Sequence, residues 1–183
     1  FHDGAELDRL SKDINKRLVE LDNEKPDWLQ IKRVGTAMAT ELFAPQGNLP
    51  IKNYSLADFP TGVKTMHASN YAKELNAKPW PCKYCVIQCH NKCEVKEGPY
   101  AYKGKGPEYE SFAMMGLNTM IDDVEAVAYA GELANMYGMD TISCGATIAW
   151  AMDCFERGLL TVEDTGGLAL RFGDAKAMVE MVE

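Results

Sequence analysis

Apolar residues recur at helical spacing in several stretches of the chain, and segments rich in proline and glycine separate these stretches. Residues 5–21 place leucine and isoleucine on one face and charges on the other, which predicts an amphipathic surface helix. Further helices are predicted from about Asp27 to Phe43 and from about Met66 to Asn76. Between them, the stretch from Pro45 to Pro60 predicts a loop with a short extended piece at Ile51–Tyr54.

The C-terminal half carries clearer start and stop signals for helices. A short helix is predicted over Ser111–Leu117. Asp122 and Asp123 offer an N-cap for the next helix, which runs to about Tyr137 because Gly138 stands where glycine commonly ends a helix. The residues of that helix predicted to be buried are Val124, Val127, Leu133 and Met136.

Two more helices complete the predicted architecture, one over Asp140–Glu156 that ends at Gly158 and one from Asp174 onward. In contrast, Pro79–Gly106 has no helical period and is predicted to be irregular, and Lys103–Pro107 within it reads as a loop. The chain is therefore predicted to be mainly α, with an irregular loop in its middle.

Composition and charge exclude several classes of function. The 183 residues are 46% hydrophobic and 25% charged, which is ordinary for a globular protein. A net charge of -8 without a dense basic block disfavours a nucleic-acid partner. We see neither an apolar run of the roughly 20 residues that span a bilayer nor an export signal. We therefore expect a cytoplasmic protein, and because the chain opens on Phe1 we expect a piece of a longer one.

The cysteines supply the first candidate chemistry. Cys82, Cys85 and Cys89 form a C-x2-C-x3-C run, and Cys93 follows closely. Disulfides are less suitable, because they serve small secreted scaffolds that lack a sufficient core. Structural zinc commonly uses two C-x2-C pairs separated by a longer loop, whereas nested thiolates on an irregular loop suit an iron–sulfur cluster. The spacing favours the cluster and leaves zinc as the alternative.

The motifs taken together resemble the aldehyde:ferredoxin oxidoreductase family of tungsten or molybdenum enzymes. Five segments carry the resemblance, in the family's order and at similar separations: Leu49–Asn53, Pro81–Cys89, Gly106–Glu110, Gly138–Ser143 and Glu156–Gly158. The match covers most of residues 34–173. Because several independent segments agree, the resemblance is more specific than any one motif.

The resemblance implies a tungsten or molybdenum ion held by two pterins, with a [4Fe-4S] cluster beside it. Cys82, Cys85 and Cys89 match three ligands of the cluster, and the fourth comes from a more C-terminal part of the family's chain. Cys93 is then not a ligand. Residues 1–183 would be a helical segment of a larger enzyme, with residues 79–106 as its cluster-binding loop. The N-terminal pterin-base domain and the C-terminal part are not present.

Three further positions acquire roles from the resemblance. Glu110, otherwise an ordinary surface carboxylate, matches a glutamate near the metal that is a candidate for proton transfer, and Glu108 is its close neighbour. Asp140 is an expected N-cap that also matches a pterin-binding carboxylate. Asn135 stands where the family has an acid, so it can bind pterin only as an uncharged amide.

Cys144 is a candidate tungsten ligand. It lies in the first turn of the helix that Asp140 opens, where the helix dipole is expected to lower the pKa of a thiol and favour thiolate. A thiolate there resembles the branch of the tungsten subunit of class II benzoyl-CoA reductase. The alternative is a small residue of the core.

The expected function is oxidation of aldehydes to carboxylic acids with electron transfer to ferredoxin or another electron-transfer protein. Reduction of an aromatic acyl-CoA substrate, as in a benzoyl-CoA reductase-like enzyme, is the first alternative. The second is a non-catalytic iron–sulfur or zinc-binding helical module. The remaining domains of the same enzyme are the other expected partners.

Overall fold

Helices make up most of the chain, and a small antiparallel sheet interrupts them near its middle, so the mainly α prediction is confirmed. A computed structural model describes residues 3–24 and 30–183. The helices are α1 (Gly4–Glu24), α2 (Gln30–Val34), α3 (Met38–Phe43), α4 (Pro60–Thr65), α5 (Ala68–Glu74), α6 (Tyr109–Ser111), α7 (Val124–Tyr137), α8 (Thr141–Glu156) and α9 (Ala175–Val182). The strands are β1 (Lys78–Pro79), β2 (Asn91–Val95) and β3 (Tyr102–Lys105). Shorter helical turns cover Ala44–Gln46, Phe112–Gly116 and Leu117–Thr119.

The amphipathic helix predicted over residues 5–21 is present as α1 and is slightly longer. None of its residues is buried, and Leu10 and Ile14 on its apolar face remain 42% and 49% exposed. Polar contacts join it to α2, where Arg33 pairs with Asp22. The helix is therefore held at the surface of the described structure with its apolar face uncovered.

The single helix predicted from Asp27 to Phe43 is wrong in part. Residues 27–29 lie outside the described residues, and the remainder is broken at Gly35, which adopts a positive φ of 69°. A Cβ atom at Gly35 would lie 2.9 Å from the carbonyl oxygen of Cys89 and 2.8 Å from the side-chain nitrogen of Asn91. The helix breaks because the chain passes directly against another segment, which a local pattern does not reveal.

The extended piece predicted at Ile51–Tyr54 is also wrong, because it is a left-handed turn. Lys52, Asn53 and Tyr54 have φ values of 48°, 49° and 61°. This conformation costs roughly 1–2 kcal/mol per ordinary residue. Two backbone hydrogen bonds to a distant segment stabilise it, since the N–H groups of Lys52 and Asn53 donate to the carbonyls of residues 117 and 118 at 3.4 and 3.0 Å.

The helix predicted over Met66–Asn76 is present as α5, and a separate helical turn, α4, precedes it. The irregular segment predicted over Pro79–Gly106 contains the three strands instead, in the order β1-β2-β3. The predicted loop Lys103–Pro107 is wrong for the same reason, because β3 pairs with β2 through Lys105. These strands are short, and four of their eleven residues are lysines, so they lack the apolar alternation that signals a strand.

The core forms where residues 109–119 pack between α7 and α8. The helix predicted over Ser111–Leu117 is confirmed as helical, but Phe112–Gly116 winds as a wider π-helical turn. Tyr71 of α5 stacks at a tilt on Phe112, with the ring centroids 5.0 Å apart. The largest buried side chains of this core include Met66, Phe112, Met115, Leu117, Ile148, Met152 and Met178.

The helix boundaries of the C-terminal half follow their signals closely. Asp123, rather than Asp122, caps α7 by accepting hydrogen bonds from the N–H groups of Glu125 and Ala126 at 3.0 Å each, and Gly138 ends it with a φ of 73°. Asp174 caps α9 by accepting from the N–H of Ala177 at 3.0 Å. The predicted burial of Met136 is wrong, since it is 69% exposed in the last turn of α7.

A buried chain of hydrogen bonds connects α2, α5 and the sheet. The Tyr71 hydroxyl donates to the carbonyl of Val34 at 2.9 Å and accepts from the Asn91 side chain at 3.0 Å. The Asn91 carbonyl in turn accepts from the N–H of Gly106 at 2.8 Å. Asn91 therefore holds together segments that are far apart in the sequence.

The close packing of α8 on residues 109–119 predicts opposite effects for two helical glycines. A Cβ atom at Gly145 would lie 2.5 Å from the backbone carbon of Met114, whereas at Gly131 the nearest atom is 4.0 Å away. We expect Gly145→Ala to lower the free energy of unfolding by about 1–3 kcal/mol. Gly131→Ala should raise it by up to about 1 kcal/mol because alanine favours helix.

Chemical denaturation of both variants, monitored by circular dichroism, measures the two changes. Equal stability of the two variants would contradict the packing described here.

Candidate functional site

The cysteine run lies on the loop of residues 80–90, between β1 and β2. The N–H of Trp80 donates to the carbonyl of His90 at 2.8 Å, so the loop is closed at its base. Within it, the N–H of Cys85 donates to the carbonyl of Cys82 at 3.1 Å. Tyr84 has a φ of 63°, and Gln88 has a φ of 56°. Each of these left-handed residues directly precedes a cysteine, so the backbone bends sharply before two of the three thiols.

The three thiols of this loop share one neighbourhood. All are free; Cys82 is exposed, and the other two are partly buried. Burial raises the pKa of Cys89, and the nearby charges of Glu108, Cys85 and Cys82 raise it further. Among residues 3–24 and 30–183, no three His, Cys, Asp or Glu side chains converge as they would on a single ion. A cubane takes one thiolate at each iron, and three free thiols around a closed loop fit three of its corners.

Cys93 differs from the other three. It lies on β2 with its side chain in the core and is 1% exposed. Burial raises the pKa of its thiol to about 11, which keeps it protonated at neutral pH. A Cβ atom at Gly106 would lie 2.9 Å from its sulfur, so the thiol is packed against β3 and the segment after it. This placement supports the expectation that Cys93 is not a ligand.

A chain of polar contacts leads from the cysteine loop to the segment that carries Glu110. The Cys82 sulfur lies 3.8 Å from Nδ1 of His90, and Nε2 of His90 lies 3.2 Å from a carboxylate oxygen of Glu108. The other oxygen of Glu108 accepts from the Thr36 hydroxyl, which itself accepts from the N–H of Tyr109 at 2.9 Å. The sequence alone indicated neither Thr36 nor the pairing of His90 with Glu108, because these contacts join residues up to 73 positions apart.

Glu110, Asn135 and Asp140 line one open cavity of about 340 Å³. Glu110 follows the loop after β3, Asn135 lies in the last turn of α7, and Asp140 precedes α8. All three side chains are exposed at this cavity, and Glu108 and Lys105 also line it. Among the described residues, the Glu110 carboxylate therefore lies open to water. The structure brings the three candidate residues together, and their roles stay predictions.

Asp140 is confirmed as the N-cap of α8. One of its carboxylate oxygens accepts from the N–H of Ser143 at 2.8 Å and from its hydroxyl at 2.7 Å. These hydrogen bonds lower the pKa of Asp140, so the carboxylate is ionised at neutral pH. An ionised carboxylate at the edge of an open cavity can accept N–H groups of a pterin, and an amide at Asn135 can both donate and accept. The residues present therefore fit a pterin ring.

Cys144 lines a different cavity, which shares Asp140 with the one just described. The thiol is partly buried in α8, and this burial raises its pKa, with a further increase from the Asp140 charge. The expectation that the helix N-terminus favours thiolate at this position is therefore wrong for the metal-free chain. Partial burial and the charge of the cap carboxylate both raise the pKa of Cys144. Its role as a tungsten ligand stays a prediction.

Two of the shorter motifs that carry the resemblance meet in space. The ammonium of Lys52 lies 2.8 Å from a carboxylate oxygen of Glu156, although the two residues are 104 positions apart. The same ammonium lies 5.2 Å from the ring centre of Phe172. The left-handed turn that contains Lys52 is thereby fixed against the end of α8.

Comparison with known proteins gives the family. A family model described as aldehyde ferredoxin oxidoreductase, domains 2 and 3, matches residues 9–183. Since this is nearly the whole chain, the protein belongs to the aldehyde ferredoxin oxidoreductase family, a family of oxidoreductases, and the resemblance drawn from the motifs is confirmed. No helix among the described residues has the length and apolar character needed to cross a membrane.

Curated relatives agree with this assignment. The tungsten-containing aldehyde ferredoxin oxidoreductase of Pyrococcus horikoshii is 31% identical over 177 residues, covering 95% of this chain and 28% of the relative. The protein of the same name from Pyrococcus furiosus is 28% identical over 171 residues, covering 93% of this chain and 28% of the relative. The WOR-like subunit of an aliphatic sulfonate oxidoreductase from Pyrococcus furiosus is 34% identical over 108 residues, covering 57% of this chain and 17% of the relative. The chain thus spans 28% of the length of the first two relatives.

The environment of Cys144 predicts how its reactivity depends on Asp140. Only the thiolate is alkylated, so a raised pKa slows the reaction at a given pH. Asp140→Asn removes the charge and retains a residue that caps helices well. We expect Cys144 of this variant, in protein without bound metal, to react faster with iodoacetamide, because the pKa of the Cys144 thiol falls when the charge is removed.

Mass spectrometry of the Cys144 peptide across a pH series measures this rate, with the Cys82 peptide of the same protein as the internal control. Identical pH profiles in the two proteins would show that the Asp140 charge does not act on the thiol.

Proposed function

We propose that the protein containing this chain is a tungsten or molybdenum pterin oxidoreductase with a [4Fe-4S] cluster that oxidises aldehydes to carboxylic acids. It passes the electrons to ferredoxin and acts in the cytoplasm. The observation that supports this most strongly is the link between the three-thiol loop and the cavity of Glu110, Asn135 and Asp140: Glu108 lines that cavity and is paired with His90 at the end of the loop. Membership of the family and the names of the relatives add to that support.

The overall reaction converts an aldehyde and water into a carboxylic acid, two protons and two electrons, which two one-electron carriers accept. The pterin-bound metal, when present, supplies the two-electron chemistry, and the cubane supplies single-electron transfer. Cys82, Cys85 and Cys89 hold three irons of the cubane. Asp140 and Asn135 bind pterin N–H and acceptor groups, and the Glu110 carboxylate accepts a proton released in the reaction.

Residues 1–183 form a helical segment of this larger enzyme, with residues 79–106 carrying the cluster. The surface around the Gly138 corner supports this organisation, because Met136 and Tyr137 before it and Met139 and Ile142 after it are large, apolar and exposed. Exposed apolar patches commonly mark contact with another surface. The fourth cluster ligand and the base of the pterin site then come from domains outside this segment.

Reduction of an aromatic acyl-CoA remains the alternative that Cys144 would favour. It requires the thiol to bind tungsten as thiolate, and metal binding removes the proton that burial retains in the metal-free chain. Cys144→Ser in the full-length protein tests this: loss of tungsten supports the alternative, and full tungsten content with full aldehyde oxidation removes it.

Metal content tests the cluster directly. In full-length protein prepared without oxygen, we expect replacement of any one of Cys82, Cys85 and Cys89 by serine to remove most of the iron and acid-labile sulfide, since each supplies a thiolate to one iron. Cys93→Ala is the matched control and should retain both, because that thiol lies in the core. Iron-free native protein with about one zinc per chain would instead support the non-catalytic zinc-binding module.

Glu110 is tested by its isosteric amide. We expect Glu110→Gln to lower kcat for aldehyde oxidation by about 100- to 10,000-fold, because the amide cannot accept the proton. Iron and tungsten content should stay unchanged. Glu108→Gln is the comparison variant and should retain most of the activity, since that carboxylate is already bonded to Thr36 and paired with His90. Full activity of Glu110→Gln would disprove the assigned role.

A further inference from the structure

Three lysines form a row across the small sheet. Lys78 of β1 stands directly opposite Lys92 of β2, and Lys92 stands directly opposite Lys105 of β3. Like charges at directly opposed positions destabilise a sheet. The net charge of the chain is -8, so the row is a local concentration of positive charge on an acidic protein.

Few carboxylates neutralise this row. Among the described residues, Lys78 and Lys92 have no carboxylate within ion-pair distance, and the ammonium of Lys105 lies 3.9 Å from Glu108. Lys103, which is paired with Glu94 at 3.2 Å, adds a fourth lysine to the same face. Of the described residues that line the cavity of about 560 Å³ over this face, Glu132 is the one further acid, so three glutamates, including Glu108, stand near the four lysines.

An exposed aromatic side chain lies among these lysines. Trp80 is 46% exposed, and the ammonium of Lys92 lies 4.4 Å from the centre of its ring. Tryptophan is enriched among the residues that contribute most of the binding energy at protein interfaces. Trp80 also precedes Cys82 by two residues, so this basic face borders the cysteine loop directly.

We propose that Lys78, Lys92 and Lys103, with Trp80, form the docking surface for an acidic protein electron carrier. This inference rests on the proposed function, which needs a one-electron carrier to reach the cluster. Complementary charge steers such encounters and raises their rate, which suits transient redox complexes of small area. A carboxylate-rich carrier placed here sits beside the loop that holds three of the cluster ligands.

The test uses the full-length holoenzyme with an aldehyde as electron donor and an acidic ferredoxin as acceptor. We expect Lys92→Glu to lower kcat/KM for ferredoxin at low ionic strength by about tenfold or more, because steering contributes at least that factor to association. The dependence of kcat/KM on salt should also weaken. Lys176→Glu is the matched control, since Lys176 is exposed on α9 outside this surface, and it should leave both quantities unchanged.

Methyl viologen, a small cationic acceptor, separates the two proposals. Unchanged viologen-linked aldehyde oxidation in Lys92→Glu, together with slower ferredoxin reduction, is the expected result. Ferredoxin kinetics equal to those of Lys176→Glu would overturn the docking surface. Loss of tungsten or of viologen-linked activity in Lys92→Glu would also overturn it, by showing that the lysines serve the cofactor. Absence of viologen-linked aldehyde oxidation in the unaltered enzyme would instead count against the proposed function.

Discussion

The hydrogen bonds that Asn91 makes in the interior determine where the cysteine loop lies. Its side chain binds the hydroxyl of Tyr71, which is 1% exposed, and its carbonyl binds the N–H of Gly106. Asn91 begins the strand that leaves the loop, and Gly106 begins the segment that leads to Glu110. A buried polar group that loses its partner costs about 1–3 kcal/mol, so the arrangement resists rearrangement. The cysteine loop and Glu110 are thereby held in a fixed relation, although neither the cysteines nor Glu110 take part in these hydrogen bonds.

Charged side chains are distributed unevenly around the cysteine loop. Glu108 adds a negative charge near the thiol of Cys89, and it is itself held by Thr36 and His90. Beyond the base of the loop, the sheet carries the lysines in a row. The loop therefore has the Glu108 carboxylate on one side and the row of lysines on the other. The proposed docking of an acidic carrier relies on the lysine side of this arrangement, because complementary charge steers association.

The parts of the fold that could be predicted are those where the signal is local. Asp123, Gly138 and Asp140 mark their helix ends by chemistry that acts within four residues, and the structure has those ends where the sequence indicates them. The break at Gly35 and the left-handed turn after Ile51 depend on segments more than 50 positions away, so no local pattern shows them. The same holds for the site, because the cysteine spacing and the resemblance indicate the candidate residues, whereas the partnership of His90 with Glu108 exists only in three dimensions.

The wide turn of Phe112–Gly116 has a consequence for how the family can vary in length here. A π-helical turn holds one more residue than an α-helical turn, and such turns occur often at functional sites. A wide turn of this kind absorbs one additional residue locally, so the chain on either side of it keeps the direction that a regular helix would give. Glu110 before the turn and the core residue Leu117 after it therefore keep their orientations with one residue more between them. A one-residue difference in length can thus be accommodated within the turn itself, without a change at the cavity wall that Glu110 shares with Asn135 and Asp140.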